Sequence, residues 1–299
     1  MPANKTRRPS AERPAAHKPK LGQTFLRDRS AAQRIVAALG DMSHSTVVEI
    51  GPGAGILTEL LSPTAGRLVA IEIDRVLAAQ LRMKLGRRTN VEIIEADVLD
   101  VNFQALLGPR PGPQPGIQPQ QTVGGKAQVI GNLPYYLTSD ILLRLFELHQ
   151  LFDRMVIMVQ REVAERIAAK PGTRDYGLLS ATAQLHAKVE QLFTLPPAAF
   201  NPPPQVHSSV LRLTMAPRWQ ELRVPLAPFV DFLKLGFGQK RKTLVNNMKT
   251  RYPSDVLRSA LKSAGAPSDA RAEALSLDKM AAIFRELWPG APQDRALLL

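Results

Sequence analysis

Between Thr46 and Gln160 the chain alternates short runs of aliphatic residues with longer stretches whose apolar positions recur every three or four residues. The short runs are TVVEI at 46–50, LVAIEI at 68–73, VEIIEA at 91–96, AQVIG at 127–131 and MVIMVQ at 155–160. Near-continuous apolar runs of this length mark strands buried on both faces, and the amphipathic stretches supply the helices that cover them. The rhythm predicts an α/β fold whose sheet is mostly parallel and carries helices on both sides.

Beyond Gln160 the pattern changes. A helix is expected from about Arg161 to Ala169 and another over LLSATAQLHA, ahead of the strand-like runs KVEQLFTL and SSVLRLT. The segment joining these runs, PPAAFNPPPQVH, is too short and too proline-rich for a helical crossover. The two runs are therefore expected to form an antiparallel pair at one sheet edge. From Pro217 onward the apolar spacing is helical, as in FVDFLKLGFGQKRKTLVNNM and DKMAAIFRELW, which predicts a small helical bundle.

Two segments fall outside this pattern. Residues 1–19 are rich in Pro, Ala, Lys and Arg with little to bury, so a disordered basic tail is expected. Residues 108–126, GPRPGPQPGIQPQQTVGGK, read as a long loop inserted between two strands. The resulting division is a tail at 1–19, an α/β domain at 20–216 and a helical domain at 217–299.

Composition narrows the function. No apolar run approaches the roughly 20 residues of a membrane span, and no apolar stretch follows the basic start as in a secretory signal. A soluble cytoplasmic protein without a membrane partner is expected. The chain has no cysteine, which excludes disulfides, thiolate metal sites and cysteine nucleophiles; no metal site is expected. The net charge of +13 is concentrated at 1–20 and at 217–262, where ten basic residues face three acidic ones. Positive flanks around a nearly neutral middle point to a polyanionic partner.

The candidate chemistry lies at strand ends. VVEIGPGAGILTELL places a buried strand before a glycine-rich turn and a helix, with Gly51, Gly53 and Gly55 spaced G-x-G-x-G. Ile56 stands where a dinucleotide fingerprint would have its third glycine, which weakens a nicotinamide reading and leaves a nucleotide-like cofactor. Glu72 ends the second strand, where a carboxylate can accept hydrogen bonds from ribose hydroxyls, and Asp97 ends the third, within reach of an adenine amine. Three strand ends in register suggest one adenosine.

The most discriminating run is VIGNLPYYLTSDILLRLF, in which a fourth strand delivers Asn132, Leu133, Pro134 and Tyr135 to the same edge. An exocyclic amine has its lone pair delocalised into the ring. It needs acceptors that orient it and an aromatic surface that holds the base. Asn132 offers a side-chain carbonyl, Leu133 a main-chain carbonyl ahead of a proline that cannot extend the ladder, and Tyr135 a stacking face.

These runs, together with LGQTFLRD, EADVLD, QREVAERI, DYGLLS, FNPPPQVHSSVLRL, FGQKRKTLVNN and RAEALS, resemble the small-subunit ribosomal RNA adenine dimethyltransferases from about Lys20 to the last predicted helix. The resemblance implies a Rossmann-like class I methyltransferase sheet, mostly parallel with an antiparallel edge strand, plus a small C-terminal helical domain that binds RNA. It implies S-adenosyl-L-methionine as cofactor. The expected reaction is N6,N6-dimethylation of two adjacent adenosines near the 3′ end of small-subunit ribosomal RNA, by a monomer that serves ribosome biogenesis on the small subunit.

The same resemblance implies that Gln23, Thr24 and Leu26 lie over the methionine part of the cofactor, with Gly51, Gly53, Glu72, Asp97 and Asn132 completing its site. Phe200 would be the second aromatic surface beside Tyr135, and Lys240, Arg241 and Lys242 would grip phosphates. Two positions depart from the family: Thr24 replaces an Asn or His, and Gln205 replaces a common Lys. The rival readings are a large-subunit RNA methyltransferase of the antibiotic-resistance type and a nucleic-acid-binding factor on the same fold without catalysis; a DNA adenine methyltransferase fits the residues at 133–134 poorly.

Overall fold

The computed structural model describes residues 24–108 and 125–288; the tail expected at 1–19 and most of the insertion expected at 108–126 lie outside them. In chain order the strands are β1 (Phe25–Leu26), β2 (Thr46–Ile50), β3 (Arg67–Glu72), β4 (Val91–Glu95), β5 (Ala127–Asn132), β6 (Phe152–Gln160), β7 (Ala187–Leu195), β8 (Phe200–Asn201) and β9 (Ser208–Met215). The helices are α1 (Arg29–Ala37), α2 (Ile56–Leu61), α3 (Arg75–Leu85), α4 (Phe103–Leu107), α5 (Thr138–Glu147), α6 (Arg161–Ala168), α7 (Leu178–His186), α8 (Leu226–Gly236), α9 (Leu244–Met248), α10 (Ser254–Ser263) and α11 (Leu277–Leu287).

Seven strands form one sheet in the order β4-β3-β2-β5-β6-β9-β7, and the first five of these are parallel. β9 runs antiparallel to both β6 and β7, so the reversal lies one strand in from the edge. The strand order reverses around β2 and β5, and the carboxyl ends at that point open the crevice in which doubly wound folds hold ligands.

The apolar runs are continuous because both faces are covered. Val48, Ile50, Val69, Ile71, Val129 and Ile157 pack with Ile141, Leu142, Leu145 and Phe146 of α5. Val47, Leu68, Ile130, Val156 and Met158 pack on the other face with Ala31, Ala32 and Ile35 of α1 and Leu57 and Leu61 of α2. The edge strand β7 carries Lys188 and Glu190, charges that discourage further strand pairing. Arg212 on β9 holds Glu190 at 3.1 Å.

Helix starts follow local chemistry. Asp28 accepts from the Ala31 N–H at 3.0 Å and opens α1, and Asp74 accepts from Val76 and Leu77 to open α3. The C-terminal helices close on a core of Phe229, Phe232, Leu233, Leu257, Leu261, Met280 and Phe284. Tyr176, Ala181 and Leu185 from the preceding segment belong to the same core. The C-terminal helices α8 to α11 thus share their interior with α7.

Candidate active site

A cavity of about 370 Å³ opens at the carboxyl ends of β2, β3 and β5, a size in the range of small-molecule sites. Thr24, Leu26, Gly51, Gly53, Glu72, Asp97, Asn132, Leu133, Pro134 and Tyr135 all line it. Of the residues anticipated there, Gln23 lies outside the described residues.

The glycine turn is shaped by close approach. Gly51 and Gly53 have φ of 65° and 58°, and a Cβ on Gly53 would stand 2.7 Å from a ring carbon of Phe25. The helix that follows, α2, has only six residues, so the loop and the surrounding side chains carry the recognition.

Glu72 is buried and bonded through both oxygens: its Oε2 accepts from the Gly53 N–H and its Oε1 from the Asp74 N–H, each at 2.9 Å. The carboxylate ties the glycine turn to the end of β3 and keeps one lone pair on each oxygen for a ligand. Asp97 commits one oxygen to the Leu99 N–H at 2.9 Å, which fixes the turn after β4 and leaves the other oxygen for the cavity.

Asn132 bonds a residue 108 positions away. Its Nδ2 donates to the Thr24 main-chain carbonyl at 3.2 Å, while its Oδ1 is buried without a partner among the described residues. The contact that Thr24 makes to Asn132 is thus main-chain and does not draw on the side chain at position 24. A buried amide oxygen without a donor costs on the order of 1–3 kcal/mol, a cost that a ligand N–H at this point would relieve. The Leu133 N–H donates to the Met158 carbonyl at 3.0 Å, and no backbone donor among the described residues reaches the Leu133 carbonyl. The turn is closed by Leu137 N–H and Thr138 Oγ1, both bonding the Pro134 carbonyl. Tyr135 is half-buried, and its hydroxyl meets Ser208 Oγ at 3.2 Å, anchoring NLPY to the FNPPPQVHSS segment.

Phe200, expected as the second aromatic surface, is not among the residues that line the cavity. It is 1% exposed, sits in β8 opposite Leu26 of β1, and packs with Leu195, Ala199 and Val210. The ring is part of the core beneath the site and does not wall the cavity. Tertiary packing puts Phe200 and Asn201 against Phe25 and Leu26, also through Arg27 N–H to the Ala199 carbonyl at 2.9 Å. Gln205 is exposed beyond this segment.

Among the cavity residues that escaped the sequence reading are Phe25, Tyr136 and Glu49. Glu49 was legible as an acid inside an otherwise apolar strand. It is 1% exposed and both carboxylate oxygens lack a hydrogen bond among the described residues. Burial pushes its carboxyl up to about 8; Thr58 lies near enough to temper the rise without good bonding geometry, and the charge of Glu72 adds to it.

The basic run lies in the turn between α8 and α9, not on a helix, and Lys240, Arg241 and Lys242 are all exposed. Asn247 Nδ2 bonds the Gly236 carbonyl at 2.6 Å and the Gln239 carbonyl at 3.2 Å, closing the turn that displays them. Lys240 Nζ reaches the Arg174 carbonyl at 2.7 Å, linking this turn to the PGTRDYG loop.

A parallel sheet with an antiparallel strand inserted next to its edge, and an acid-lined cavity at its switch point, define a class I methyltransferase fold. Two solved structures share it over 88% of the chain: a dimethyladenosine transferase from Plasmodium falciparum (23% identical, TM-score 0.68, 96% of that chain) and the 23S rRNA methyltransferase ErmE (26% identical, TM-score 0.62, 99% of that chain). Residues 15–288 match the family model described as ribosomal RNA adenine dimethylase. Curated proteins named ribosomal RNA small subunit methyltransferase A are 59% identical in Koribacter versatilis (92% of this chain, 96% of that protein) and 53% identical in Acidobacterium capsulatum (91% of each). The chain belongs to the ribosomal RNA adenine dimethylase family. It is an enzyme that takes S-adenosylmethionine as cofactor and dimethylates adenine in ribosomal RNA. No helix among the described residues is long and apolar enough to cross a membrane.

Proposed function

We propose that the cavity dimethylates two adjacent adenosines near the 3′ end of small-subunit ribosomal RNA, in the cytoplasm, with the small ribosomal subunit as partner. The observation that carries the chemistry is the buried, unpartnered Oδ1 of Asn132 in the cavity wall, next to the Leu133 carbonyl. These two acceptors suit the two N–H bonds of an exocyclic amine and would hold it in one orientation as the first methyl arrives.

The residues fit the cofactor. Glu72 and Asp97 each keep acceptor capacity for ribose hydroxyls and the adenine amine, while Thr24, Leu26 and Gly51 flank the space between them and Asn132. The acidic lining matches the positive charge of a sulfonium, which when bound supplies the reactive methyl group. No protein base is needed to start the transfer; the role of the chain is to place amine and methyl in line and to exclude water. Tyr135 supplies a stacking wall for the flipped base, whose unstacking costs a few kcal/mol. Lys240, Arg241 and Lys242 supply exposed charge for phosphates. The enzyme is taken to act as a monomer.

The decisive experiment offers labelled S-adenosylmethionine with either immature small subunits or naked large-subunit RNA. Transfer to the former, with N6,N6-dimethyladenosine as product, is expected. Transfer only to the latter would overturn the assignment to the small subunit.

A further inference from the structure

Both of the aromatic surfaces expected to sandwich the base are constrained. Phe200 is locked in the core, and Tyr135 is half-buried with its hydroxyl held at Ser208. The next residue behaves differently. Tyr136 lines the same cavity yet is 64% exposed, and no aromatic ring or cation stacks on it among the described residues. Its backbone is not loose: the Pro134 carbonyl, two residues before it, takes bonds from Leu137 N–H and Thr138 Oγ1 just after it, and α5 begins two residues on. A free phenol ring is thus carried on a rigid turn at the cavity mouth, adjoining the acceptors for the amine.

We infer that Tyr136 is a base-stacking platform that holds the RNA nucleotide next to the adenine in the cavity. This rests on the reading of the cavity as an adenine methylation site. A base whose amine reaches Asn132 Oδ1 lies deep, against Tyr135, whereas the ring of Tyr136 faces largely into solvent. The nucleotide joined to a flipped base has lost its stacking neighbour and must leave the helix close to the mouth. An aromatic face there replaces the lost stack without reading the base edge, since every base has a π face. Tyr136 is then a positioning residue for RNA and not a catalytic one.

The test compares full-length wild type, Tyr136→Phe and Tyr136→Leu, using undermethylated small subunits and S-adenosylmethionine. Loss of one base–aromatic stack is expected to raise the KM for the subunit roughly ten-fold in Tyr136→Leu, with kcat and the KM for the cofactor within about two-fold. Tyr136→Phe keeps the π face and restores the low KM. A Tyr136→Leu enzyme with the wild-type KM for the subunit would overturn the inference, as would a change confined to kcat or to the cofactor KM. A wild-type protein that transfers no methyl group to the subunit would instead overturn the functional reading, and this inference with it.

Discussion

Glu49→Gln isolates the one ionisable group that the cavity buries without a hydrogen bond. The ordinary carboxyl value of 4.5 rises to about 8 in the folded protein, so folding takes up a proton between these values. The sign follows: stability from the neutral carboxyl is fully present below pH 4.5 and is lost as pH rises, with the loss complete above about 8. At about 1.4 kcal/mol per unit, the full span amounts to roughly 5 kcal/mol as an upper bound. Gln is isosteric and never ionises, so whatever its amide costs is constant with pH. The stability difference between variant and wild type should therefore drift in favour of the variant by about 1.4 kcal/mol per pH unit from 5 to 8, or roughly 2–3 °C in Tm per unit. Comparing the two proteins cancels other titrations, such as that of His186, which burial holds down to about 4. Thermal unfolding without cofactor, followed by far-UV circular dichroism at several pH values, reads the drift. A difference that stays flat across pH 5–8 would refute the reasoning.

Three further outcomes are expected. Asn132→Ala removes the oriented carbonyl and should abolish methyl transfer while weakening RNA binding only modestly, which filter binding alongside a transfer assay would separate; unchanged turnover would remove the role given to NLPY. Replacing Lys240, Arg241 and Lys242 together by Ala should weaken RNA binding and flatten its salt dependence by about 0.7–0.9 per lost phosphate contact, with cofactor affinity unaltered in calorimetry. Phe200→Leu should lower Tm through a core cavity, while the KM for the RNA substrate stays within about two-fold; a specific rise in that KM would restore Phe200 to the binding surface.

Much of the fold was legible because it rests on local periodicity. The runs TVVEI, LVAIE, VEIIE and AQVIG became β2 to β5, and the antiparallel pairing of β7 and β9 followed from a proline-rich joint that no helix could occupy. Gly51, Glu72, Asp97 and Asn132 could be placed on one edge because parallel strands end on the same side of a sheet. The helix expected through GQKRK is a turn instead, closed by Asn247 on the carbonyls of Gly236 and Gln239, a side-chain closure that apolar spacing does not encode.

The sequence by itself determined the order of elements, the glycine turn and which chemical groups stand at the strand ends, all of which depend on neighbours a few residues apart. Only the tertiary structure decided how those groups are used. It set the Asn132 amide against the carbonyl of Thr24, 108 positions away, leaving Oδ1 buried without a partner. It paired Leu26 with Phe200 and so buried the expected stacking ring, while Tyr136 stayed at the mouth. And it folded Glu49 inward without a partner. Burial and pairing between distant segments depend on how whole faces pack, and two adjacent tyrosines, alike in sequence, differ because the turn at Pro134 gives one to Ser208 and the other to solvent.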